Sequence, residues 1–389
     1  MKALVYEGVK ELKVQSIPDP EILQDTDAIV KVSLSSVCGS DLHLLNGYVP
    51  TMKSGDVLGH EFIGEVVETG KKIKKIKKGD RVVVASVIGC GHCHYCRHDE
   101  WSLCDNTNPN AWIPEKLYGD TTAGIFGYSH AFGGFAGSHA EYIRVPFADF
   151  GAFPIPEGVS NDKAVFASDA LPTGYMAADF CDIKKGDIVA VWGCGGVGQM
   201  AINSAYHLGA ERVIAIDRIP DRLHLAQTKA KAEVLNFEDT DILEAIKEMT
   251  GGRGPDCCID AVGMEAYNNG ADYYYDKLKQ TLRLQTDRPT ALRQTIQSCR
   301  KGGVVSVVGV YAGLIDKFPM GALMNKALTI RAGQMHAQRY IPHLLDLLQQ
   351  EKLDSSYLLT HKWDLQRGAE GYKMFNDKKD NCMRVVFEP

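Results

Sequence analysis

Short runs in which apolar and polar residues alternate fill roughly the first 150 positions of the chain. A period of two is typical of β-strands that bury only one face. Charged residues, glycine and proline separate the runs, as expected for strands joined by turns. The runs are KALVYEG, AIVKVSLSSV, FIGEVVETG, DRVVVASV and AEYIRVP. This part of the chain is predicted to be a β-rich domain.

From residue 187 onward the pattern changes to fully apolar runs that alternate with amphipathic segments. Strands of a parallel sheet are apolar along their whole length because helices cover both faces of the sheet. The apolar runs are DIVAVWG, RVIAID, DCCIDAVG and GGVVSVVGV, and the first helical segments are GGVGQMAINSAYHLGA and RLHLAQTKAKA. The pattern predicts a doubly wound, Rossmann-type parallel sheet.

The end of the chain is predicted to return to the first domain. IPHLLDLLQQEKL has a helical pattern, and CMRVVFEP is a closing strand. We therefore predict an α/β protein with a β-rich domain of residues 1–165 plus 333–389 and a Rossmann domain of residues 166–332. Two domains fit a length of 389 residues at about 100 to 200 residues per domain.

Charge and hydropathy argue against nucleic-acid and membrane partners. The net charge of −6 offers no general attraction to a phosphate backbone or an anionic membrane, and the lysine-rich segment 71–80 is predicted to be a solvated turn. No apolar run reaches the roughly 18 residues of a membrane span. We expect a cytoplasmic protein. In a reducing compartment its 11 cysteines favour metal binding over disulfides.

The segment WGCGGVGQM carries a dinucleotide-binding pattern. Gly193, Gly195 and Gly198 have the spacing G-x-G-x-x-G between a predicted strand and a predicted helix. These glycines would allow a tight turn, a close approach of pyrophosphate and close packing of helix on strand. Further candidate cofactor contacts are Gly196, Val197, Val308 and Val310.

The strand RVIAID ends at Asp217, 19 residues after Gly198. An acidic side chain at this position can accept hydrogen bonds from the adenosine ribose, which favours NAD. Arg218 and Arg222 lie close to it in sequence and keep NADP as an alternative.

A four-cysteine loop predicts a closed metal site. Its cysteines have the spacing C-x2-C-x2-C-x7-C and are Cys90, Cys93, Cys96 and Cys104. Four thiolates suit a tetrahedral structural zinc ion, although an iron–sulfur cluster also uses four cysteines. The nearby His92, His94 and His98 are interpreted as solvated. The other cysteines assigned structural roles are Cys181, Cys194, Cys257, Cys258, Cys299 and Cys382.

Two further segments hold candidate ligands of an open metal site, Cys38 in VCGSDLHLL and His60 in GHEFIGEV. With the four-cysteine loop and with GGFAGSHAEYIRV, DALPTGY and WGCGGVG, these motifs occur in order along nearly the whole chain. The chain resembles the zinc-containing medium-chain alcohol dehydrogenases. The resemblance implies a GroES-like fold for the β-rich domain and two zinc ions per subunit.

The resemblance also implies a catalytic zinc site formed by Cys38, His60 and Asp169. Most of the family has a cysteine just before the T-G-Y motif, where this chain has Asp169. The branch of glutathione-independent formaldehyde dehydrogenases and dismutases uses aspartate there. A carboxylate donates less electron density than a thiolate, so the ion would be more electrophilic. Alternatively, Asp169 caps the next helix, and water or another side chain is the third ligand.

Four more residues match the family's catalytic motif. By resemblance, Ser40 contacts the substrate oxygen, and His43 passes the proton to solvent. Asp41 fixes the geometry around a ligand, and Glu61 orients the metal or approaches it. The alternatives are a helix cap for Ser40, an exposed position for His43 and a surface ion pair for Glu61.

The predicted activity is zinc-dependent hydride transfer from a small alcohol or a hydrated aldehyde, such as formaldehyde hydrate, to NAD. The alternatives are a secondary-alcohol, polyol or amino-alcohol dehydrogenase of the same family, or a non-catalytic nucleotide-binding protein. By resemblance the enzyme is a homotetramer or a homodimer. The segments 112–134 and 267–289 are expected either to select the substrate or to form subunit contacts.

Overall fold

The computed structural model describes residues 1–264, 266–267 and 287–389 of the chain. Most of the predicted loop 267–289 lies outside the described residues. The described chain divides into two compact units. The first unit comprises Met1–Pro172 and Met335–Pro389, and the second comprises Thr173–Gln334.

Mostly antiparallel strands form the first unit. Its strands are β1 (Lys2–Gly8), β2 (Glu11–Ser16), β3 (Ala28–Ser36), β4 (Asp56–Val57), β5 (Glu61–Thr69), β6 (Arg81–Val84), β7 (Val87–Ile88), β8 (Gly124–Ile125), β9 (Tyr142–Val145), β10 (Ala152–Pro154), β17 (Leu359–Asp364) and β18 (Arg384–Glu388). The main sheet has the order β10-β6-β5-β3-β18-β17, with β9 also paired to β3. Because the C-terminal β18 pairs with β3, the predicted return of the chain end is confirmed.

The second unit has a parallel sheet. Its strands are β11 (Ile188–Trp192), β12 (Arg212–Asp217), β13 (Glu233–Asn236), β14 (Cys257–Asp260), β15 (Val304–Val307) and β16 (Thr329–Ala332). Within the described residues of this unit the order is β13-β12-β11-β14-β15-β16, and every pair is parallel. Counted along the unit this is the order 3-2-1-4-5-6, so the predicted Rossmann topology is confirmed.

Helices connect these strands and cover them. They are α1 (Gly39–Leu45), α2 (His94–Arg97), α3 (Trp112–Tyr118), α4 (Ala148–Gly151), α5 (Asn161–Ala164), α6 (Ala170–Asp179), α7 (Gly196–His207), α8 (Pro220–Thr228), α9 (Ile242–Met249), α10 (Thr290–Ser298), α11 (Met320–Asn325), α12 (Ala337–Gln349) and α13 (Gly368–Asp377). None of the described helices is both long enough and apolar enough to cross a membrane.

Both faces of the parallel sheet are buried, as the continuous apolar runs predict. In β11, Val189 and Val191 belong to one hydrophobic cluster, whereas Ala190 and Trp192 belong to another. Successive side chains of a strand point to opposite faces, so a core lies on each side of the sheet. Loops at the ends of these strands are thereby held on a rigid base.

The lysine-rich segment 71–80 is an exposed turn before β6. Backbone N–H groups of Lys74 and Lys75 donate to the carboxylate of Asp149, and Asp80 accepts from Lys77. The lysine side chains extend into solvent, as predicted. Hydrogen bonds to Asp149 and Asp80 fix the conformation of this turn.

Candidate functional site

Three side chains of metal-ligating type meet in the first unit. Cys38, His60 and Asp169 each offer one ligand atom, and these three atoms lie within 4.8 Å of one another. Oδ2 of Asp169 is 3.2 Å from Nε2 of His60 and 3.5 Å from Sγ of Cys38. Cys38 precedes α1, His60 precedes β5, and Asp169 precedes α6. The fold thus brings together three residues that are far apart in sequence.

The spacing of these atoms suits a single zinc ion. Tetrahedral bonds of about 2.1 Å to nitrogen and oxygen and about 2.3 Å to sulfur separate N and O by about 3.4 Å and S and O by about 3.6 Å. The corresponding separations here are 3.2 and 3.5 Å. Three protein ligands also leave a fourth position for an exchangeable oxygen ligand.

Asp41 links α1 to the histidine of this cluster. Its Oδ2 accepts the backbone N–H of Cys38 at 2.9 Å, and its Oδ1 lies 3.1 Å from Nδ1 of His60. With Nδ1 facing Asp41, Nε2 of His60 faces Cys38 and Asp169. Burial would lower the pKa of His60, but Asp41 and Asp169 outweigh it and hold this pKa well above its usual value. The cluster therefore favours positive charge, as a cation site must.

Ser40 lies beside two of the candidate ligands. Its Oγ is 3.3 Å from Sγ of Cys38 and 3.3 Å from Nε2 of His60. Cys38, not Ser40, is the N-cap residue of α1. His43 follows Ser40 by one helical turn and is only 8% exposed, so the alternative of an exposed His43 is wrong.

Glu61 is fully buried, which contradicts the alternative of a surface ion pair. Its Oε1 accepts the backbone N–H of Ala170 at 2.8 Å, next to Asp169. Burial raises the pKa of Glu61 to about 7; Arg384 opposes this shift, and Asp169 adds to it. A buried carboxyl group with a raised pKa thus lies behind the candidate metal site.

Arg384 is a second buried charge beside the cluster, and sequence analysis missed it. It is 2% exposed, and its Nη1 donates to the carbonyl of Val37 at 2.9 Å. Burial would lower the pKa of Arg384, but Glu61, Cys38 and Asp169 outweigh it and raise this pKa. The signal in the sequence was a single cation within the apolar strand CMRVVFEP.

Tyr128 is an aromatic neighbour of the cluster that sequence analysis also missed. Its ring lies 6.2 Å from the His60 ring and nearly perpendicular to it, and Phe132 packs on Tyr128 with ring centres 5.2 Å apart. Burial raises the pKa of Tyr128. No spacing in this glycine-rich segment distinguishes Tyr128 from an ordinary core residue.

The four cysteines of the predicted closed site also come together. All four Sγ atoms lie within 4.8 Å of one another, with Cys90 and Cys96 4.0 Å apart and Cys93 and Cys104 3.9 Å apart. Zinc with four sulfur ligands at about 2.3 Å separates the sulfurs by about 3.8 Å. A cluster distributes its ligands over several iron atoms and needs wider spacing. These distances therefore suit a single ion.

Hydrogen bonds reach two of these sulfurs from their surroundings and from each other. Sγ of Cys90 accepts from the backbone N–H of Cys93 at 3.4 Å and from the side-chain amide of Asn106 at 3.3 Å. A hydrogen bond from Cys96 lowers the pKa of Cys104 to about 4, and the same hydrogen bond raises the pKa of Cys96. The side chains of His92, His94 and His98 are exposed, in agreement with their interpretation as solvated.

In the second unit the glycine-rich loop joins β11 to α7, as predicted. Gly193 has a φ of +91°, and a Cβ on Gly198 would stand 1.7 Å from the carbonyl oxygen of Gly193. A side chain is therefore excluded at Gly198. Gly195 is the N-cap residue of α7, and Gly196 and Val197 begin this helix. The free N–H groups of this helix N-terminus suit a pyrophosphate.

Asp217 ends β12 beside this turn. Its Oδ2 accepts the backbone N–H of Cys194 at 2.7 Å, and its Oδ1 accepts those of Arg218 and Ile219 at 2.6 and 3.0 Å. A carboxylate has about four acceptor positions, so one remains for a ribose hydroxyl. Arg218 stacks on Tyr267 at 4.3 Å. Arg222 lies close to Gly195, since its Nη1 would be 3.6 Å from a Cβ there.

Val308 and Val310 follow β15 at the same edge of the sheet. The N–H of Val308 donates to the carbonyl of Asp260, and the carbonyl of Val310 accepts from Met264. Both side chains are half-buried. The carboxyl ends of parallel strands are where doubly wound sheets bind ligands.

Comparisons with known proteins agree with this geometry. Residues 24–157 match the family described as "Alcohol dehydrogenase GroES-like domain", and residues 196–282 match "Zinc-binding dehydrogenase". The predicted combination of a GroES-like domain and a Rossmann domain is thereby confirmed.

Relatives cover the chain from end to end. An uncharacterized zinc-type alcohol dehydrogenase-like protein, AdhB of Bacillus subtilis, is 40% identical over 100% of both chains. The solved alcohol dehydrogenase TADH of Thermus sp. ATN1 is 34% identical, with a TM-score of 0.83 over 100% of this chain and 99% of the other. The formaldehyde dismutase of Pseudomonas putida is 29% identical over 100% of this chain and 97% of its own length. The chain therefore belongs to the zinc-type medium-chain alcohol dehydrogenases, a family of oxidoreductases.

Proposed function

We propose that this protein is a zinc- and NAD-dependent dehydrogenase that oxidises a small alcohol or a hydrated aldehyde, with hydrated formaldehyde as the leading candidate. One observation carries the proposal: donor atoms of Cys38, His60 and Asp169 lie at zinc-like separations with Ser40 Oγ beside them. Cys90, Cys93, Cys96 and Cys104 would hold a second, structural zinc ion.

In this proposal each cofactor supplies chemistry that side chains lack. Zinc supplies a Lewis acid that lowers the pKa of a substrate hydroxyl, and NAD accepts the hydride. Cys38, His60 and Asp169 hold the ion, and the Asp41 contact fixes the orientation of His60. Ser40 contacts the substrate oxygen, and His43 passes the proton of the substrate hydroxyl to solvent.

For hydrated formaldehyde the reaction balances as follows. One C–H bond breaks, and NAD⁺, when bound, would accept its electron pair with the hydrogen as hydride. One hydroxyl would release its proton to solvent by way of His43 while its oxygen forms the new carbonyl bond. The products are formic acid, NADH and one proton.

Asp169 is the reason for preferring an aldehyde hydrate. A carboxylate donates less charge to zinc than a thiolate does, so the zinc ion would be more electrophilic. A more electrophilic ion would lower the pKa of the substrate hydroxyl further, even for a weakly binding hydrate. The relation to a formaldehyde dismutase that covers the whole chain points the same way. Secondary-alcohol, polyol and amino-alcohol dehydrogenases of the family are the alternatives, and a non-catalytic nucleotide-binding protein is a further one.

For the cofactor, Asp217 favours NAD over NADP. Its carboxylate is fixed by three backbone N–H groups at the end of β12, where it would repel a ribose 2′-phosphate. Arg218, the nearest cation in sequence, is engaged with Tyr267 and Glu238. Arg222 is left to approach the cofactor near Gly195.

We also propose that the enzyme is a homodimer or a homotetramer of the cytoplasm. Leu314 is 91% exposed, Met320 and Met324 are exposed, and β16 is an edge strand within the described sheet. Exposed apolar side chains and an unpaired sheet edge are each suited to pairing with a second copy. None of the 11 cysteines, all of which lie within the described residues, is in a disulfide, which suits a reducing compartment.

Metal counting together with NAD reduction tests the proposal. We expect about two zinc ions per chain. NADH formation is then measured in parallel with formaldehyde, primary alcohols, secondary alcohols and polyols. Formaldehyde should give the highest kcat/KM. A preference for a secondary alcohol or a polyol would support the alternative dehydrogenases. NADH binding without turnover of any substrate would support the non-catalytic alternative.

A further inference from the structure

A buried hydrogen-bond network joins the segments that follow β14 and β15 in the second unit. The carboxylate of Asp260 is fully buried, and its Oδ2 accepts the hydroxyl of Tyr311 at 2.7 Å. Its Oδ1 accepts the backbone N–H groups of Val262 and Gly263 at 2.9 and 3.1 Å. One side chain therefore contacts both segments.

The backbone of Asp260 reinforces this connection. Its carbonyl accepts the N–H of Val308 at 3.0 Å and that of Gly309 at 2.9 Å. These side-chain and carbonyl hydrogen bonds of Asp260 thus lead to the two segments 262–263 and 308–311. Each end of the network is held by more than one bond.

The two segments are in direct contact at glycines. Gly263 has a φ of +78°, and a Cβ on it would stand 2.5 Å from both the nitrogen and the oxygen of Val310. The N–H of Met264 donates to the carbonyl of Val310 at 2.8 Å. Without a side chain between them, the spacing of the two backbones is set by these hydrogen bonds.

The same network reaches the glycine-rich loop. The N–H of Ala261 donates to the carbonyl of Trp192 at 2.9 Å. A Cβ on Gly193 would stand 2.9 Å from Cγ2 of Val262 and 3.0 Å from the carbonyl oxygen of Ala261. Displacement of residues 261–262 would therefore change the surroundings of the turn at Gly193.

The far side of Tyr311 is anchored by a second carboxylate. Asp287 is fully buried and accepts the backbone N–H groups of Ala312 and Gly313 at 3.3 and 2.9 Å. Tyr311 therefore lies in a segment that is fixed both before and after it. Its hydroxyl is the side-chain link from this segment to Asp260.

We propose that Asp260 and Tyr311 are positioning residues for the dinucleotide. They hold the segments after β14 and β15 together, and the first of these segments lies against the Gly193 turn, at the carboxyl edge of the sheet where a dinucleotide binds. The inference rests on the proposed function, because it assumes that the chain binds NAD. A binding edge that is already ordered loses less freedom when the ligand binds, and affinity is higher for that reason.

Tyr311→Phe is the direct test. The ring is retained, but Oδ2 of Asp260 loses its hydroxyl donor in a buried position. We expect the Kd for NADH, measured by fluorescence titration, to rise roughly tenfold. We also expect faster amide hydrogen exchange in peptides that contain residues 261–264, with the rest of the sheet unchanged.

Tyr206→Phe is the matched control. The Tyr206 hydroxyl is also hydrogen-bonded in this unit, but to the backbone. It donates to the carbonyl of Lys231 at 3.0 Å and accepts the N–H of Val213 at 3.2 Å. These bonds lie at the opposite end of β12 from Asp217. Tyr206→Phe should lower the thermal stability to a comparable extent but leave the Kd for NADH unchanged.

Asp260→Asn is the conservative variant, and its Kd for NADH tests the inference if Tyr311→Phe does not fold. Its amide oxygen still accepts from the backbone, and its amide nitrogen can donate to the Tyr311 hydroxyl. We therefore expect the affinity for NADH to fall only about threefold. Unchanged affinity in the folded variants, with normal binding by the unmodified protein, would overturn this inference alone. If the unmodified protein does not bind NADH, the proposed function fails as well.

Discussion

Asp41 contacts His60 through the ring nitrogen that faces away from the candidate metal site, with Oδ1 of Asp41 3.1 Å from Nδ1 of His60. Both side chains are almost fully buried. A carboxylate in this position fixes the tautomer and the orientation of a ligating histidine. The helix α1 and the metal site therefore depend on the same aspartate.

Asp41→Asn should weaken zinc binding, because an amide makes a weaker and less directed contact with Nδ1 of His60. We expect the zinc affinity to fall roughly 10- to 100-fold in chelator competition. Asp80→Asn is the matched control, since Oδ2 of Asp80 accepts the N–H of Lys77 three residues earlier, as Asp41 does with Cys38. Equal affinities of the two variants would contradict the proposed role of Asp41.

Asp169→Ala should remove one of the two metal ions. Without the carboxylate only Cys38 and His60 remain from the cluster, and two ligands hold zinc poorly. We expect the metal content to fall from about two ions per chain to about one, and Asp169→Cys should restore it. Unchanged metal content in Asp169→Ala would assign the third position to water or another side chain, as in the helix-cap alternative.

Cys104→Ser should remove the other ion. A tetrahedral site with three thiolates and a hydroxyl binds zinc less tightly, and the loop 90–104 loses its cross-link. We expect about one ion per chain and a lower Tm. Cys181→Ser is the control, because Cys181 is buried but lies outside both clusters. If both variants lose stability and neither loses metal, the four-cysteine loop is not a zinc site.

His43→Ala should slow turnover and leave the zinc content unchanged, since His43 is expected to move a proton and not to bind the ion. The loss should be largest at low pH, where solvent base is scarce. Steady-state kinetics across pH and metal analysis of the same preparations test both expectations. A pH profile parallel to that of the unmodified enzyme would argue against the relay.

Local patterns were enough to predict most of the fold. The alternating and continuous apolar runs predicted the strands, and the parallel sheet follows from burial of both faces of β11. Cysteine spacing predicted the cluster at Cys90 because its members are near in sequence. These features depend on neighbours within a few residues, which a sequence displays directly.

The surroundings of the metal cluster were not predictable in the same way. Arg384 lies 323 positions after Glu61 in the chain, and only the pairing of β18 with β3 brings it near Cys38. Tyr128 contacts His60 from a loop without regular spacing. Even the grouping of Cys38, His60 and Asp169 came from resemblance to a family, because long-range contacts leave no periodic signal in one sequence.

His139 should make the stability of the protein depend on pH. The side chain is fully buried between Tyr372 and Phe387, with Nδ1 2.7 Å from the Ser35 hydroxyl and Nε2 3.0 Å from the Tyr372 hydroxyl. Burial lowers the pKa of His139 to about 4, whereas an unfolded histidine has a pKa of about 6.5. As the pH falls, His139 therefore takes up a proton in the unfolded state at a higher pH than it does in the folded state.

The sign of the effect follows from these two values. The contribution of His139 to the free energy of unfolding is complete above about pH 6.5. It is lost as the pH falls from 6.5 towards 4, by about 1.4 kcal/mol per pH unit. His139→Gln keeps a donor and an acceptor but does not titrate. Urea unfolding at pH 7 and pH 5 should show that the unmodified protein loses about 2 kcal/mol more than the variant. Zinc release in acid affects both proteins alike, so parallel losses would mean that His139 is not buried in its neutral form.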